Sequence, residues 1–181
     1  MSNILEDNVV YYTIVKRKGL DFLKSKNSNE RLETLQSRYV LDSMLNYFNL
    51  TKGVICKTAL GKPYFKSKNV FFNYSHSNNF IACAISKCDV GIDIEETDRI
   101  INETMIKICD FDKDSALEEL VKREAFCKMT GDGIASFFDE NNFIDVDNIS
   151  KTIHTKDYIC SVYSNCISPI FKFININKNY I

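Results

Sequence analysis

The chain has 181 residues, enough for one sizeable domain or two small lobes. Its 45% apolar and 12% aromatic content suits an ordinary packed core, and no apolar run approaches the roughly 20 residues that a membrane helix needs. Net charge is −1 and the pI is near 6.1 with no basic cluster, which makes nucleic acid a poor partner and leaves no reason to expect a membrane surface.

The opening "MSNILEDNVV" has no basic region followed by an apolar one, so it does not read as a secretory leader, and a cytoplasmic protein is expected. Seven cysteines are present, at 56, 83, 88, 109, 127, 160 and 166. The odd number and the absence of CxxC spacing argue against a disulfide framework and against a zinc site. They read instead as small core residues. Neither His76 nor His154 has a nucleophile motif beside it, so cysteine catalysis is not expected. Charge is divided unevenly. Residues 1–70 hold 12 Lys/Arg against 6 Asp/Glu, whereas residues 71–181 hold 11 against 18. A basic half facing an anion and an acidic half holding a cation is one reading; solvated surface is the other.

In chain order, "NVVYYTIV" (8–15) reads as a strand from its β-branched and aromatic content. Residues 28–48 read as a long helix, with Asn27 as cap and Glu30 three residues on. "GVIC" (53–56) is a short strand before the turn-like "ALGKPYF" (59–65). Residues 69–75 and 79–86 form a strand pair around "SHSNN", and 89–95 form the next strand. Helices follow at about 100–109 and at 115–129, the second opened by a Ser115/Glu118 capping box. The tail, 142–181, reads as strands with turns. "FIACAIS" (80–86) faintly repeats in "YICSVYS" (158–164), which suggests two halves, each a helix on a few strands, with a boundary near 87–89.

The strand "VGIDIE" carries the chemistry. Alternate residues share a face, so Val90, Ile92 and Ile94 make an aliphatic side, while Gly91, Asp93 and Glu95 make the other. Two neighbouring carboxylates repel unless something positive lies between them. Water at an exposed edge is one answer; a hard cation such as Mg²⁺, which takes oxygen ligands, is another. The helix 115–129 offers a third carboxylate. At about 100° per residue, Glu124 and Lys128 fall in the stripe of Leu117, Leu120 and Val121. An inward Glu needs a partner; Lys128 or a metal shared with Asp93 and Glu95 would serve. "FNYSHSNNF" sets Ser75, His76 and Ser77 on a turn, and "LGKPYF" presents Lys62 on another.

Taken in this order, "GKPYF", "FNYSHS", "VGIDIE" and "LVKREAFCK" resemble the 4′-phosphopantetheinyl transferases, in particular the longer, single-chain surfactin-synthetase-activating type. The resemblance covers about residues 30–135 and extends to the C-terminus by pattern. It implies an α+β pseudo-dimer of two lobes, 1–88 on the coenzyme A side and 89–181 on the metal side, with the site in the cleft between them. It implies a monomeric holo-[acyl-carrier-protein] synthase that moves the phosphopantetheine arm of coenzyme A onto a serine of an apo acyl or peptidyl carrier protein. Carried over by motif, Asp93, Glu95 and Glu124 ligate Mg²⁺ or Mn²⁺, Glu124 also serves as general base, and Lys128 contacts phosphate. Ser75 and His76 hold coenzyme A phosphates, Lys62 lies near the nucleotide, and Arg38 aligns loosely with a helix arginine on the 3′-phosphate. Leu120 stands where the family usually has Trp, and Arg123 where it usually has Lys. Only 28 residues separate Glu95 from Glu124, where the family often has a carrier-binding element and a further acid; Asp110, Asp112 and Asp114 are candidates for that acid. The rival readings are a non-catalytic coenzyme A- or carrier-binding module of the same fold, and a metal-dependent phosphohydrolase of coenzyme A-like pyrophosphates.

Overall fold

The structure is a computed structural model that describes residues 3–25, 31–67, 69–133, 137–138 and 147–176. Strand β1 (Val9–Lys16) is β-branched and aromatic as expected, and all but its last residue are buried. A 3₁₀ segment (Arg17–Ser25) leads toward helix α1 (Leu32–Tyr47). A small hairpin pairs β2 (Ile55–Lys57) with β3 (Pro63–Phe65). Strands β4 (Phe71–His76), β5 (Phe80–Ser86) and β6 (Val90–Glu96) follow, then helices α2 (Glu103–Ile108) and α3 (Ala116–Thr130). Strands β7 (Ser150–His154), β8 (Tyr158–Ser164) and β9 (Ile170–Phe173) close the described chain.

Two sheets form. The first has the order β4-β5-β1-β9 and the second β6-β8-β7. Pairing is antiparallel except for β9, which runs parallel to β1 with Val9 opposite Ile170. The period-2 alternation of each strand sorts the side chains between layers. Val9, Tyr11 and Val15 of β1 and Ile81, Cys83 and Ile85 of β5 meet Val40, Leu41, Met44 and Leu45 of α1. Their neighbours Val10, Tyr12, Ile14, Phe80, Ala82 and Ala84 meet Val90, Ile92, Ile94, Cys160 and Val162 of the second sheet. Beyond that sheet lies α3, with Ala125, Phe126 and Met129 against Tyr163. The order of layers is therefore α1, first sheet, second sheet, α3. β5 is covered on both faces, which is why it reads as a continuous small-and-apolar run rather than an alternating one.

The faint repeat falls on β5 and β8, each an inner strand of its sheet. Other expectations need correction. The Ser115/Glu118 capping box does not form: Ser115 occupies the N-cap position without a side-chain hydrogen bond, and Glu118 pairs instead with Lys122 at 2.6 Å. The first helix begins at Leu32, with Arg31 at its cap position, and Asn27 lies outside the described residues. The second is shorter than 100–109 and is capped by Asn102, whose Oδ1 accepts from Met105 N at 2.7 Å. Cys88 and Cys166 are disulfide-bonded, with Cα atoms 5.5 Å apart. Spacing could not reveal this pair, because the fold brings together residues 78 positions apart. From the C-terminal part of the chain, β9 joins the first sheet, and Ile174 and Ile176 are buried in the core of α1.

Candidate functional site

The site is built where α3 lies across β6. Gly91, Asp93 and Glu95 face that helix, and Gly91 is what lets it approach. A Cβ at position 91 would come within 2.0 Å of the Ala125 carbonyl oxygen and 2.4 Å of the Met129 nitrogen, both backbone atoms that cannot step aside. With helix and strand in contact there, Glu124, one residue before Ala125, is set beside the two strand carboxylates. One carboxylate oxygen from each of Asp93, Glu95 and Glu124 lies within 4.8 Å of the others.

Three like charges at that spacing are costly. Burial, then Asp93 and Glu124, push the Glu95 carboxyl up to about 7, against the pull of Arg99. Burial and then Asp93 raise Glu124 as well. The positive neighbours are Lys128 and Arg99. Lys128 donates to Asp93 Oδ1 at 2.5 Å and to Ser75 Oγ at 2.9 Å, while Ser75 donates to the same Asp93 oxygen at 2.7 Å. Burial works against the charge of Lys128, but Asp93, Glu124 and Glu95 outweigh it, and its pKa is raised. Arg99 donates to Glu95 Oε1 from the turn that follows β6. Within this cluster Asp93 Oδ2 is buried and has no hydrogen-bond partner among the described residues. An orphaned carboxylate oxygen amid three hard oxygen donors suits a divalent cation such as Mg²⁺ or Mn²⁺.

Two clefts flank the carboxylates. One, of about 830 Å³, is polar and carries Arg17, Arg31, His76, Arg99 and Glu95 on its walls. The other, of about 530 Å³, is lined by Glu124 and Lys128 together with Lys62, Tyr74, Met105 and Phe138. Arg17 organises the first: its guanidinium donates to Gln36 Oε1 at 3.0 Å, to Glu33 Oε1 at 3.1 Å and to the Ser77 carbonyl at 3.1 Å, which fixes the turn that follows His76. Burial and the Arg17 charge hold His76 below its ordinary value, so its imidazole is neutral at pH 7.

The expected residues therefore fall into three groups. Asp93, Glu95, Glu124, Lys128 and Ser75 come together directly, and His76 lines the adjoining polar cleft. Lys62 reaches the rim of the other cleft, but its ammonium is bound by the Met129 carbonyl and, at 3.2 Å, by Asp89. Arg38 sits on α1 and lines neither of these clefts. The sequence reading missed Arg17, Arg31 and Arg99. The basic run at 16–18 was the available signal for Arg17; Arg99, four residues after Glu95, looks like any surface ion pair. Asn73, also passed over, is 4% exposed, and its Oδ1 accepts from Ile92 N at 3.2 Å, which ties β4 to β6 beside the carboxylates.

Arg123 and Leu120 are packing residues. The guanidinium lies 4.7 Å from the centroid of the Phe111 ring, and Leu120 is fully buried with Cys109, Phe111, Ala116 and Phe137. No helix among the described residues is long and apolar enough to cross a membrane.

No family model matches the chain. Among curated proteins it is 31% identical over 106 residues to the 4′-phosphopantetheinyl transferase gsp of Aneurinibacillus migulanus. The matched stretch covers 57% of this chain and 43% of that protein, so the chain spans less than half the length of the curated relative it matches.

Proposed function

We propose that the protein is a two-lobed, single-chain 4′-phosphopantetheinyl transferase of the surfactin-synthetase-activating type. It transfers the phosphopantetheine arm of coenzyme A to a serine of an apo acyl or peptidyl carrier protein and releases 3′,5′-ADP. It acts as a cytoplasmic monomer. The observation that carries this reading is the convergence of Asp93, Glu95 and Glu124, with Asp93 Oδ2 unpartnered, beside a cleft walled by arginines and a histidine.

Asp93, Glu95 and Glu124 would hold Mg²⁺ or Mn²⁺, which when bound neutralises charge on the pyrophosphate. The chain's own groups do the rest. Arg17, Arg31 and His76 line the cleft that takes the nucleotide phosphates, an arrangement suited to guanidinium forks. Lys128, already aimed at the carboxylates, contacts the phosphate that carries the arm. Glu124 accepts the serine proton as the serine oxygen bonds to that phosphorus and the bond from phosphorus to 3′,5′-ADP breaks. Catalysis of this kind is mostly positioning and charge stabilisation.

The test is intact-mass analysis of an apo carrier incubated with the protein, coenzyme A and Mg²⁺. The carrier is expected to gain the mass of the phosphopantetheine arm. Asp93→Ala and Glu124→Gln are each expected to cut the rate by about a thousandfold or more, since each removes several kcal/mol of transition-state stabilisation. Full activity in both variants would refute the site.

A further inference from the structure

Of the three clustered carboxylates, Asp93 pairs with Lys128 and Glu95 with Arg99. Arg99 leaves β6 through a tight turn, its backbone N–H bonded to the Glu96 carbonyl at 3.0 Å, and its guanidinium folds back onto Glu95 Oε1. The two side chains differ in setting: Glu95 is 16% exposed and Arg99 38%. Arg99 also stands on the wall of the polar cleft with Arg17, Arg31 and His76. One guanidinium thus borders both the carboxylate cluster and the polar cleft, whose walls also carry Glu33, Glu96 and Asp98.

We infer that Arg99 is an exchange residue: it neutralises Glu95 in the ion-free protein, gives that carboxylate up to the divalent ion, and then binds a phosphate of the nucleotide in the adjoining cleft. The inference rests on the reading of Asp93, Glu95 and Glu124 as ion ligands. Arg99 places a positive charge on the same carboxylate that an ion would approach, so ion and guanidinium repel each other and compete electrostatically for Glu95. Once displaced, the guanidinium keeps its charge and its fork of donors, which match phosphate oxygens in pairs. It has little distance to cover, because it already lines the cleft. The consequence is coupling: ion binding releases a phosphate ligand, so the ion and the nucleotide each strengthen the other's binding by the same factor.

The experiment is Mn²⁺ binding to the full chain, followed by electron paramagnetic resonance, with and without 3′,5′-ADP as the phosphate probe. Wild-type protein is expected to bind Mn²⁺, and saturating Mn²⁺ to tighten 3′,5′-ADP by about fivefold or more. Arg99→Gln is expected to bind Mn²⁺ more tightly than wild type when the probe is absent, and to lose most of the coupling. Arg99→Lys keeps the charge without the fork and is expected to fall between the two. Arg31→Gln removes equal charge from the same cleft wall at a residue outside the Glu95–Arg99 pair; it is expected to weaken 3′,5′-ADP and leave Mn²⁺ affinity in the absence of probe unchanged. An Arg99→Gln protein with wild-type Mn²⁺ affinity overturns the exchange. So does an Arg31→Gln protein whose Mn²⁺ affinity rises as much, because the effect is then the general field of the cleft. Folded wild-type protein that binds no Mn²⁺ overturns the ion reading itself and the exchange with it.

Discussion

Leu120 is completely buried, and the space around it is already taken. Phe111 and Phe137 close over it from the segments on either side of α3, and Arg123 lays its guanidinium on the Phe111 ring. These residues form a satellite core around the leucine. An aromatic there would overpack it, and Leu120→Trp is expected to lower stability by about 1–3 kcal/mol, read as a lower urea midpoint with unchanged slope. A midpoint equal to wild type would mean the cluster has spare volume. At this scale the sequence was informative where a period constrained it. Asp93 and Glu95 share a strand face with Gly91, and Glu124 and Lys128 share a helix stripe with Leu120 and Val121, so all four could be aimed from spacing alone. Arg17 and Arg31 could not, because what places them at the cleft is how their flanking segments run, not any repeat in the residues around them.

Helix α3 and strand β6 work as one unit, and Gly91 is its contact point. An alanine there would drive its methyl carbon to 2.0 Å from the Ala125 carbonyl oxygen, and the obstacle is helix backbone. Gly91→Ala is expected to cost about 3 kcal/mol or more, because the helix must lift to admit the methyl group. Lifting it moves Glu124 from Asp93 and Glu95, so a folded variant is expected to lose Mn²⁺ binding more than its stability loss explains. Retention of wild-type affinity in folded Gly91→Ala would show that the carboxylates do not depend on this contact. The strands and α3 were legible because their alternation and stripes run for several residues. Termini were not. Ser115 has the right neighbours for a capping box, yet Glu118 is drawn to Lys122, which lies within reach one turn along. β9 was legible as a strand but not as a partner of β1, since its exposed Ile170 and Phe173 fit any edge. The Cys88–Cys166 bond was hidden for the same reason: it depends on where residues 164–170 cross back toward the first sheet.

The whole molecule stacks helix, sheet, sheet and helix, and its uneven charge follows the chain rather than the layers. Arg17, Arg31 and Lys62 come from the basic first third, and Asp93, Glu95 and Glu124 from the acidic remainder, so the fold brings the two balances to one seam. That seam makes stability depend on pH in a specific direction. Glu95 titrates near 4.5 in the unfolded chain and at about 7 in the folded one, so between those values the folded protein holds a proton that the unfolded chain has lost. Stability from this group is complete below pH 4.5 and is lost as pH rises toward 7. Glu124 shifts in the same direction. A divalent ion reverses the balance, because it binds the ionised carboxylates and so stabilises more as they deprotonate. With a chelator present, wild-type Tm is expected to fall relative to Glu95→Gln as pH is raised from 4.5 to 7. Millimolar Mg²⁺ is expected to raise the wild-type Tm at pH 7 far more than at pH 4.5, and to do little for the variant. A wild-type Tm that climbs relative to Glu95→Gln across that window in chelator would show that Glu95 is stabilised as the anion by Arg99 alone, leaving no unmet charge for an ion to satisfy.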